Sequence, residues 1–352
     1  MNTIVITRVP LHSQLGGEEL HTLSVAKHLR DQGYRVVFAT KCRVLNKLAK
    51  DNGFKRIWLK DFPPSPTTKG SLLWFTLIFP FALIGSLIMY AFIRLRYGKA
   101  TFYMLNLSDK ILFGFWLKIF GNKAVFLEHA TIGKWLTKNP FLIILKWICR
   151  SENIHIVTVS RRMQQSLQEI LKVNVVEIRN GVRLQKKLDL EHVNSKQILF
   201  VGRLEKDKGF DIFCEIAKNN PDLEFVCAGV GSLSRLAKNI SNLKLLGFVE
   251  HQKLADLYKS SALLLLPSTT QDPFGLVVCE SLSYGCPVMC SDMVNASDYL
   301  DSQFVCRIQD FQFRFSNFYK NSARLRKSAF ECSKEFDQQI MLKNYASFLN
   351  SL

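Results

Sequence analysis

Two carboxylates eight residues apart, Asp272 and Glu280, bracket the turn Pro273-Phe274-Gly275-Leu276 in the stretch TTQDPFGLVVCESLSYGCPV at 269–288. The run ALLLL at 262–266 reads as a strand that ends at Pro267, and Pro273 suits the first turn of a helix. A helix starting near 274–276 puts Asp272 at its mouth and Glu280 about one turn in. The first N–H groups, those of Phe274, Gly275 and Leu276, are then free. Such a mouth can take phosphate on its amides and sugar hydroxyls on its acids. The alternative is a capping Asp with an unrelated surface Glu. That accounts for Asp272 but poorly for Glu280, which sits in an otherwise apolar run.

A second cluster is FVGRLEKDKG at 200–209. Arg203 follows a strand end and Lys208 opens the expected helix. Arg can fork onto two phosphate oxygens and Lys adds a point charge. Both emerge at the carboxyl edge of an expected parallel sheet, where open α/β folds bind ligands; two solvated surface cations are the plainer alternative. Gly16-Gly17-Glu18-Glu19 lies where a strand's loop meets a helix, so backbone N–H groups can approach an anion closely. The spacing is not G-x-G-x-x-G, and a plain capping turn fits equally. Ala228-Gly229-Val230-Gly231 says only that the chain turns tightly. His129, in FLEHA, follows a strand at the first carboxyl edge, whereas His155 sits inside a strand-like run and reads as packed.

Elements at a regular pitch must position these groups. An apolar run at 4–7, a loop from Arg8 to Gly17, a helix over 18–32 stopped by Gly33 and a strand at 34–39 make a βαβ unit. The pattern resumes with strands at 102–105, 124–127 and 154–159, where Ser160 caps a helix. After the polar segment LQKKLDLEHVNSKQ the alternation restarts, with strands at 198–201, 223–228, 243–246 and 262–266 and helices near 208–219, 232–239 and 251–260. Two doubly wound, Rossmann-like domains follow from this, with the boundary near 178–196. A last apolar stripe over roughly 336–350 predicts a terminal helix that must dock.

The totals agree. A chain of 352 residues with 48% hydrophobic and 22% charged residues is globular and long enough for two cores. Net charge is +18, which favours polyanions, anionic lipid or phosphorylated substrates. Nucleic acid is the weakest of these readings, since no aromatic-interleaved basic motif is present. Nine scattered cysteines without a C-x-x-C pair predict reduced thiols in a reducing compartment and no zinc site. MNTIVITRV reads as a strand and not as a signal peptide.

Residues 72–93, LLWFTLIFPFALIGSLIMYAFI, carry no charge and are long enough to cross a bilayer. Crossing would split one sheet across the membrane, and Pro80 and Gly85 are expected to interrupt a straight helix. An in-plane or re-entrant membrane-binding segment is preferred, with Lys60, Lys69, Arg94, Arg96 and Lys99 on anionic headgroups. An ordinary buried helix is the alternative.

In this order and spacing, the motifs GGEE (16–19), EHA (128–130), VSRRM (159–163), RNGV (179–182), FVGRLEKDKGFD (200–211), AGVG (228–231), LGFV (246–249) and LPSTTQDPFGLVVCESLSYGCPV (266–288) resemble the retaining GT-B glycosyltransferases of family four, the "glycosyl transferases group 1" type. The resemblance covers almost the whole chain. It implies two Rossmann-like domains facing a central cleft: an acceptor domain at 1–178, a nucleotide-sugar domain at 179–332, and a terminal helix at 333–352 crossing back to the first.

The resemblance also implies roles. Arg203 and Lys208 would grip the diphosphate, Glu280 the ribose hydroxyls, and Asp272 with the amides of Phe274 and Gly275 the donor sugar. Leu276 would lend an amide to the phosphates. Gly16 and Gly17 would leave room for diphosphate and acceptor, His129 would contact the sugar near the reacting carbon, and Phe248 with Val249 would border the base. Asp272 is one methylene shorter than the family's usual Glu, and SDMVNASDYL at 291–300 replaces a usual glycine pair.

Expected partners are a UDP- or GDP-sugar donor, a glycan or lipid-linked acceptor and an anionic membrane surface, with no cofactor, no metal and no nucleic acid. The expected place is the cytoplasm, peripheral on the inner face of the cell membrane. The rivals are a dinucleotide oxidoreductase, which lacks the fingerprint; a non-catalytic glycan- or lipid-binding protein on a transferase scaffold; and an integral membrane protein built around 72–93.

Overall fold

The computed structural model describes residues 2–8, 16–59, 63–129, 137–189 and 193–352. Ala130 of the EHA motif, the flanking Lys60, most of the loop after Arg8, and residues 190–192 of the polar segment lie outside the described residues. The chain forms two compact units, Met1–Arg179 with Leu342–Leu352, and Asn180–Met341.

In the first unit the strands are β1 (Thr3–Arg8), β2 (Arg35–Thr40), β3 (Lys55–Trp58), β4 (Ala100–Met104), β5 (Ala124–Glu128), β6 (Ile154–Thr158) and β7 (Val175–Glu177). They lie in the order β3-β2-β1-β4-β5-β6-β7, all parallel. The second unit has β8 (Asn194–Val201), β9 (Glu224–Ala228), β10 (Leu243–Leu245), β11 (Ser261–Leu266), β12 (Val288–Ser291) and β13 (Val305–Cys306), in the order β10-β9-β8-β11-β12-β13. Both sheets reverse direction beside their first strand, between β1 and β4 and between β8 and β11. The carboxyl edges at those reversals are where such folds bind ligands.

The central strands are apolar on both faces because helices cover both. In the first unit Val5, Phe102, Met104, Phe126 and Ile156 pack with Ile111, Phe113 and Ile148. The cysteines are free thiols, and all but Cys332 are buried.

The 72–93 segment lies within one continuous helix, Lys69–Tyr97, that runs through Pro80 and Gly85; the expected interruption does not occur. Thr68 and Ser71 form a capping box at its start. One stripe, Phe75, Ala82, Ser86, Tyr90 and Ile93, is buried against the helix Leu107–Ile119. There Trp116 Nε1 donates to the Leu83 carbonyl at 2.9 Å and Tyr90 OH donates to Asn122 Oδ1 at 2.5 Å. The helix connects β3 to β4 of one sheet, so it lies along the unit. It is neither a re-entrant hairpin nor fully buried.

The terminal helix begins at Gln338 and runs to Ser351. Tyr345 is fully buried, with its ring 5.3 Å from that of His21 and 6.3 Å from that of Tyr103. Immediately upstream, Val182 bridges to Asp337. A Cβ on Gly181 would lie 2.6 Å from Gln338 Cα, so the glycine of RNGV permits a backbone contact.

Candidate functional site

The second unit's edge is built by four loops that touch through their backbones. Gly202 N donates to the Ala228 carbonyl at 3.0 Å and Leu204 N to that of Val230 at 3.0 Å. Gly229 has φ +157°, and a Cβ there would lie 1.8 Å from the Gly202 carbonyl oxygen; one on Gly231 would lie 2.4 Å from that of Leu204. The Gly-Val-Gly turn therefore braces the Arg203 loop. Glu205 helps by accepting from Ser232 N at 2.7 Å and Ser232 Oγ at 2.6 Å, bonds that pull its carboxyl below the usual range.

Lys208 does not open a helix as expected. It ends the 3-10 turn Lys206–Lys208, Gly209 follows at φ +71°, and the helix begins at Phe210. A Cβ on Gly209 would sit 1.8 Å from the Pro267 carbonyl oxygen. This close approach brings the loop after β8 against the loop after β11, and Lys208 Nζ reaches Asp272 Oδ2 at 2.5 Å. The pair is largely enclosed, with 19% and 12% of the side chains exposed. Arg203 NH2 meets Asp207 Oδ2 at 2.5 Å, but Arg203 is 62% exposed. Such an exposed pair contributes about 0–1 kcal/mol, so the guanidinium exchanges partners easily.

The helix after β11 is Leu276–Ser283, entered through Gly275 at φ +86°. Asp272 Oδ1 accepts from Phe274 N at 3.2 Å. This corrects one expectation: the Phe274 amide is spent inside the turn, and the helix mouth consists of the amides from Gly275 onward. The 291–300 segment holds the turn from behind. Asp272 N donates to the Met293 carbonyl at 2.9 Å, Asn295 N to that of Asp272 at 3.1 Å, and Ala296 N to that of Phe274 at 2.8 Å. Val294 Cγ1 stands 2.3 Å from where a Gly275 Cβ would be, so Val294 and Gly275 fit only as a pair.

Glu280 lies in the second turn of this helix, 15% exposed. Its Oε1 meets His251 Nε2 at 2.9 Å and its Oε2 accepts from Tyr258 OH at 2.9 Å. The bond to Glu280 pushes the His251 pKa up. Both partners come from the helix His251–Ser260, seven residues apart and hence on one face two turns apart. Sequence reading missed them; that spacing was the available signal. Phe248 stands just before this helix with 68% of its surface exposed, Val249 beside it is half-buried, and the Gly247 carbonyl accepts from Gly229 N at 2.8 Å.

The edge of the first unit is different. Gly16 caps the helix Gly17–Asp31, but its amide donates to Glu19 Oε2 at 3.0 Å. Arg8 lies 2.5 Å from Glu19 and 3.4 Å from Glu18. The Gly16-Gly17 mouth thus carries the chain's own carboxylates, which is the capping arrangement. Deeper in, Lys110 is nearly buried and gives Nζ to Glu128 Oε1 at 2.7 Å and to the Leu127 carbonyl at 2.5 Å. The rings of His21 and His129 are 4.5 Å apart, edge to face. Burial lowers His21 to about 3. Burial first, and then His21, Lys110 and Arg8, hold His129 well below its ordinary value. Both imidazoles are neutral, and His129 Nε2 has no hydrogen-bond partner among the described residues. Burial raises Asp109 to about 7 against the pull of Thr7, Lys110 and Arg8. His155 packs against Phe348.

The structure thus gathers Arg203, Lys208, Asp272, Gly275 and Leu276 at the reversal point of the second sheet. Glu280 stands on the same helix, and Phe248 and Val249 lead into the helix that holds it. Gly16, Gly17 and His129 belong to the first unit.

Residues 183–307 match the family described as glycosyl transferases group 1. The match lies within the second unit, and the two units are the two Rossmann-like halves of a GT-B fold. Over 113 residues it is 38% identical to an uncharacterized 42.6 kDa protein in the cps region of Klebsiella pneumoniae, which is 31% of this chain and 29% of that one. Over 181 residues it is 28% identical to a phosphatidyl-myo-inositol mannosyltransferase of Mycobacterium tuberculosis, covering 47% of this chain and 48% of that one. The matched stretches therefore span less than half of these curated relatives. Among solved structures, that of Anabaena Alr3699/HepE in complex with UDP superimposes with a TM-score of 0.78 at 16% identity, covering 100% of both chains.

Proposed function

We propose that the chain transfers a hexose from a UDP- or GDP-sugar to a hydroxyl of a glycan or lipid-linked saccharide, with retention at the anomeric carbon and without a metal. Its place would be the cytoplasmic face of the cell membrane, in capsule, lipopolysaccharide or related envelope polysaccharide synthesis. The observation that carries this reading is the grouping of Arg203, Lys208, Asp272 and the Gly275–Leu276 amides at one sheet edge, with Glu280 on the adjoining helix.

Each part answers to a part of the donor. As the glycosidic bond breaks, negative charge grows on the β-phosphate oxygen. Lys208, the Arg203 fork and the helix-mouth amides stabilise that charge. Asp272, oriented by Lys208 and by its own turn, accepts from sugar hydroxyls. Glu280, oriented by His251 and Tyr258, accepts from the ribose, and exposed Phe248 with Val249 offers an apolar border for the base. Neutral His129, its Nε2 without a partner among the described residues, offers a hydrogen-bonding group and not an acid. The acceptor oxygen attacks from the face the leaving group departs, which preserves configuration.

The relatives support the donor and acceptor classes: one neighbour was solved with UDP, one relative is named for mannosylating phosphatidyl-myo-inositol, and another is encoded in a cps region. A panel of UDP- and GDP-sugars tests the reading by thermal shift and nucleotide release, with and without EDTA. A cognate donor at 100 times its Kd should stabilise by about 2.7 kcal/mol. It should also release nucleotide equally well in EDTA. Thermal shift without release, under any acceptor mixture, would favour the non-catalytic binding alternative.

A further inference from the structure

The helix Lys69–Tyr97 has a mean hydropathy of 2.2 over its most apolar window, yet only 17% of that window is buried. The stripe opposite its docked face consists of Leu73 (65% exposed), Leu77 (63%), Phe81 (76%), Ile84 (58%), Ile88 (66%) and Leu95 (88%). Their spacing keeps them on one side of the helix over roughly 33 Å, at 1.5 Å per residue. A continuous apolar strip of that length on a folded unit marks a surface that something covers.

Charge decides what covers it. From residue 62 to residue 108 the sequence contains no Asp or Glu, while Lys69 lies at one end of the strip and Arg94, Arg96 and Lys99 at the other. Two copies of the chain pairing through this face about a two-fold axis would set one cationic end against the other. An anionic leaflet meets the same ends with opposite charge. Trp74, 53% exposed, sits near one end of the strip, where an amphipathic ring favours the headgroup level. The docked stripe prevents the helix from crossing, because Ser86, Tyr90 and Leu83 are bonded to Leu112, Asn122 and Trp116 of the first unit.

We propose that this face is a one-leaflet docking surface: the helix lies in the plane of an anionic membrane, apolar strip in the acyl boundary and basic ends on headgroups. The proposal deepens the lipid-linked acceptor reading and rests on it for its purpose, but its test needs no donor.

The full chain is sedimented with phosphatidylcholine vesicles and with vesicles containing phosphatidylglycerol. The wild type should partition to the anionic vesicles at least 10-fold better. Phe81→Ser/Ile84→Ser/Ile88→Ser should lower that partition at least 30-fold. Arg96→Gln/Lys99→Gln should lower it roughly 5-fold per charge removed and erase the lipid preference. The part of the tryptophan emission that Trp74→Phe removes should shift to the blue on binding and be quenched by lipids brominated near the headgroup rather than at the chain ends. Far-UV circular dichroism and a cooperative thermal melt matching the wild type certify folding of both variants. If a variant misfolds, the wild-type lipid preference and the Trp74 quenching depth decide alone. Equal partition of wild type and folded triple-serine variant, or deep quenching of Trp74, overturns the proposal. So does a wild-type dimer in light scattering that the triple variant dissolves, which would make a second copy the occupant. Failure of every donor leaves this result standing, and failure of vesicle binding leaves donor chemistry untouched.

Discussion

The two units share one winding order around their first strand, yet treat charge at the carboxyl edge in opposite ways. In the first unit, Arg8 is held by Glu18 and Glu19, Lys110 by Glu128, and the Gly16 amide by Glu19. These charges pair with one another, and burial keeps His21 and His129 neutral. In the second unit, Arg203 is mostly exposed and tied to a single Asp, and Lys208 leans on an Asp that itself faces the edge. One edge stores its charges and the other presents them. The same topology therefore carries closely paired charges in one half and a mostly exposed arginine in the other. The distinction lies in which residues follow the first and fourth strands of each winding.

Removing matched lysines from the two units should separate these roles. Lys110→Met leaves the partly buried Glu128 without its cation, which costs less than the roughly 3–5 kcal/mol of a fully buried charge. Urea denaturation should read that loss, with nucleotide affinity of the folded fraction unchanged. Lys208→Ala should weigh the other way: turnover falls by about 100-fold or more, while the denaturation midpoint falls less than for Lys110→Met, because Asp272 keeps its bond from the Phe274 amide. If both variants lose mainly stability, the second edge is no more a binding site than the first.

A smaller effect sharpens the second edge. Without His251, Glu280 keeps only Tyr258 as partner, so His251→Ala should raise the donor KM about 3- to 10-fold with kcat nearly constant. The wild-type KM should itself climb with pH. Glu280 raises the His251 pKa, so the charged bond is complete at low pH and is lost as pH rises through that raised value. The variant should show no such rise.

The last test concerns stability against pH in the first unit. Asp109 titrates near 7 in the fold and near 4 unfolded. Its protonated form is therefore favoured by folding, a contribution present below about 4 and lost as pH rises through 7. Asp109→Asn should flatten the fall in melting temperature between pH 5 and 8. His21, lowered to about 3, acts with the opposite sign: its contribution is present above about 6.5 and fades as pH falls. His21→Asn should flatten the acid limb instead.

How much of this was legible in the sequence depends on burial. The central strands stood out because both faces are covered, which writes continuous apolar runs. β3, with the sequence KRIW and only Ile57 partly buried, left no such mark, nor did the three-residue β7. The helix Phe311–Cys332 also escaped, although Phe311, Phe315 and Phe318 sit at helical spacing; Asn and Ser between them blurred the stripe. The helix His251–Ser260 was placed correctly. At the site, residues that follow a strand end could be found one at a time: Arg203, Lys208, Asp272. Residues that act through a partner could not. His251 and Tyr258 matter only because the fold lays their helix against Glu280. Likewise 291–300 looked like a departure from the family until Val294 was seen to fill the space Gly275 leaves. Local pattern reveals what a residue is able to do, and packing decides what it is aimed at.

The return of the last helix to the first unit has a consequence during synthesis. Tyr345 closes over His21 and Tyr103, yet it is translated some 166 residues after Arg179, the end of the unit's first segment. At roughly 5–20 residues per second, the nascent amino-terminal half waits about 10–30 s with that aromatic seat open. The second unit is one uninterrupted segment, so its folding needs no such return of a distant part of the chain.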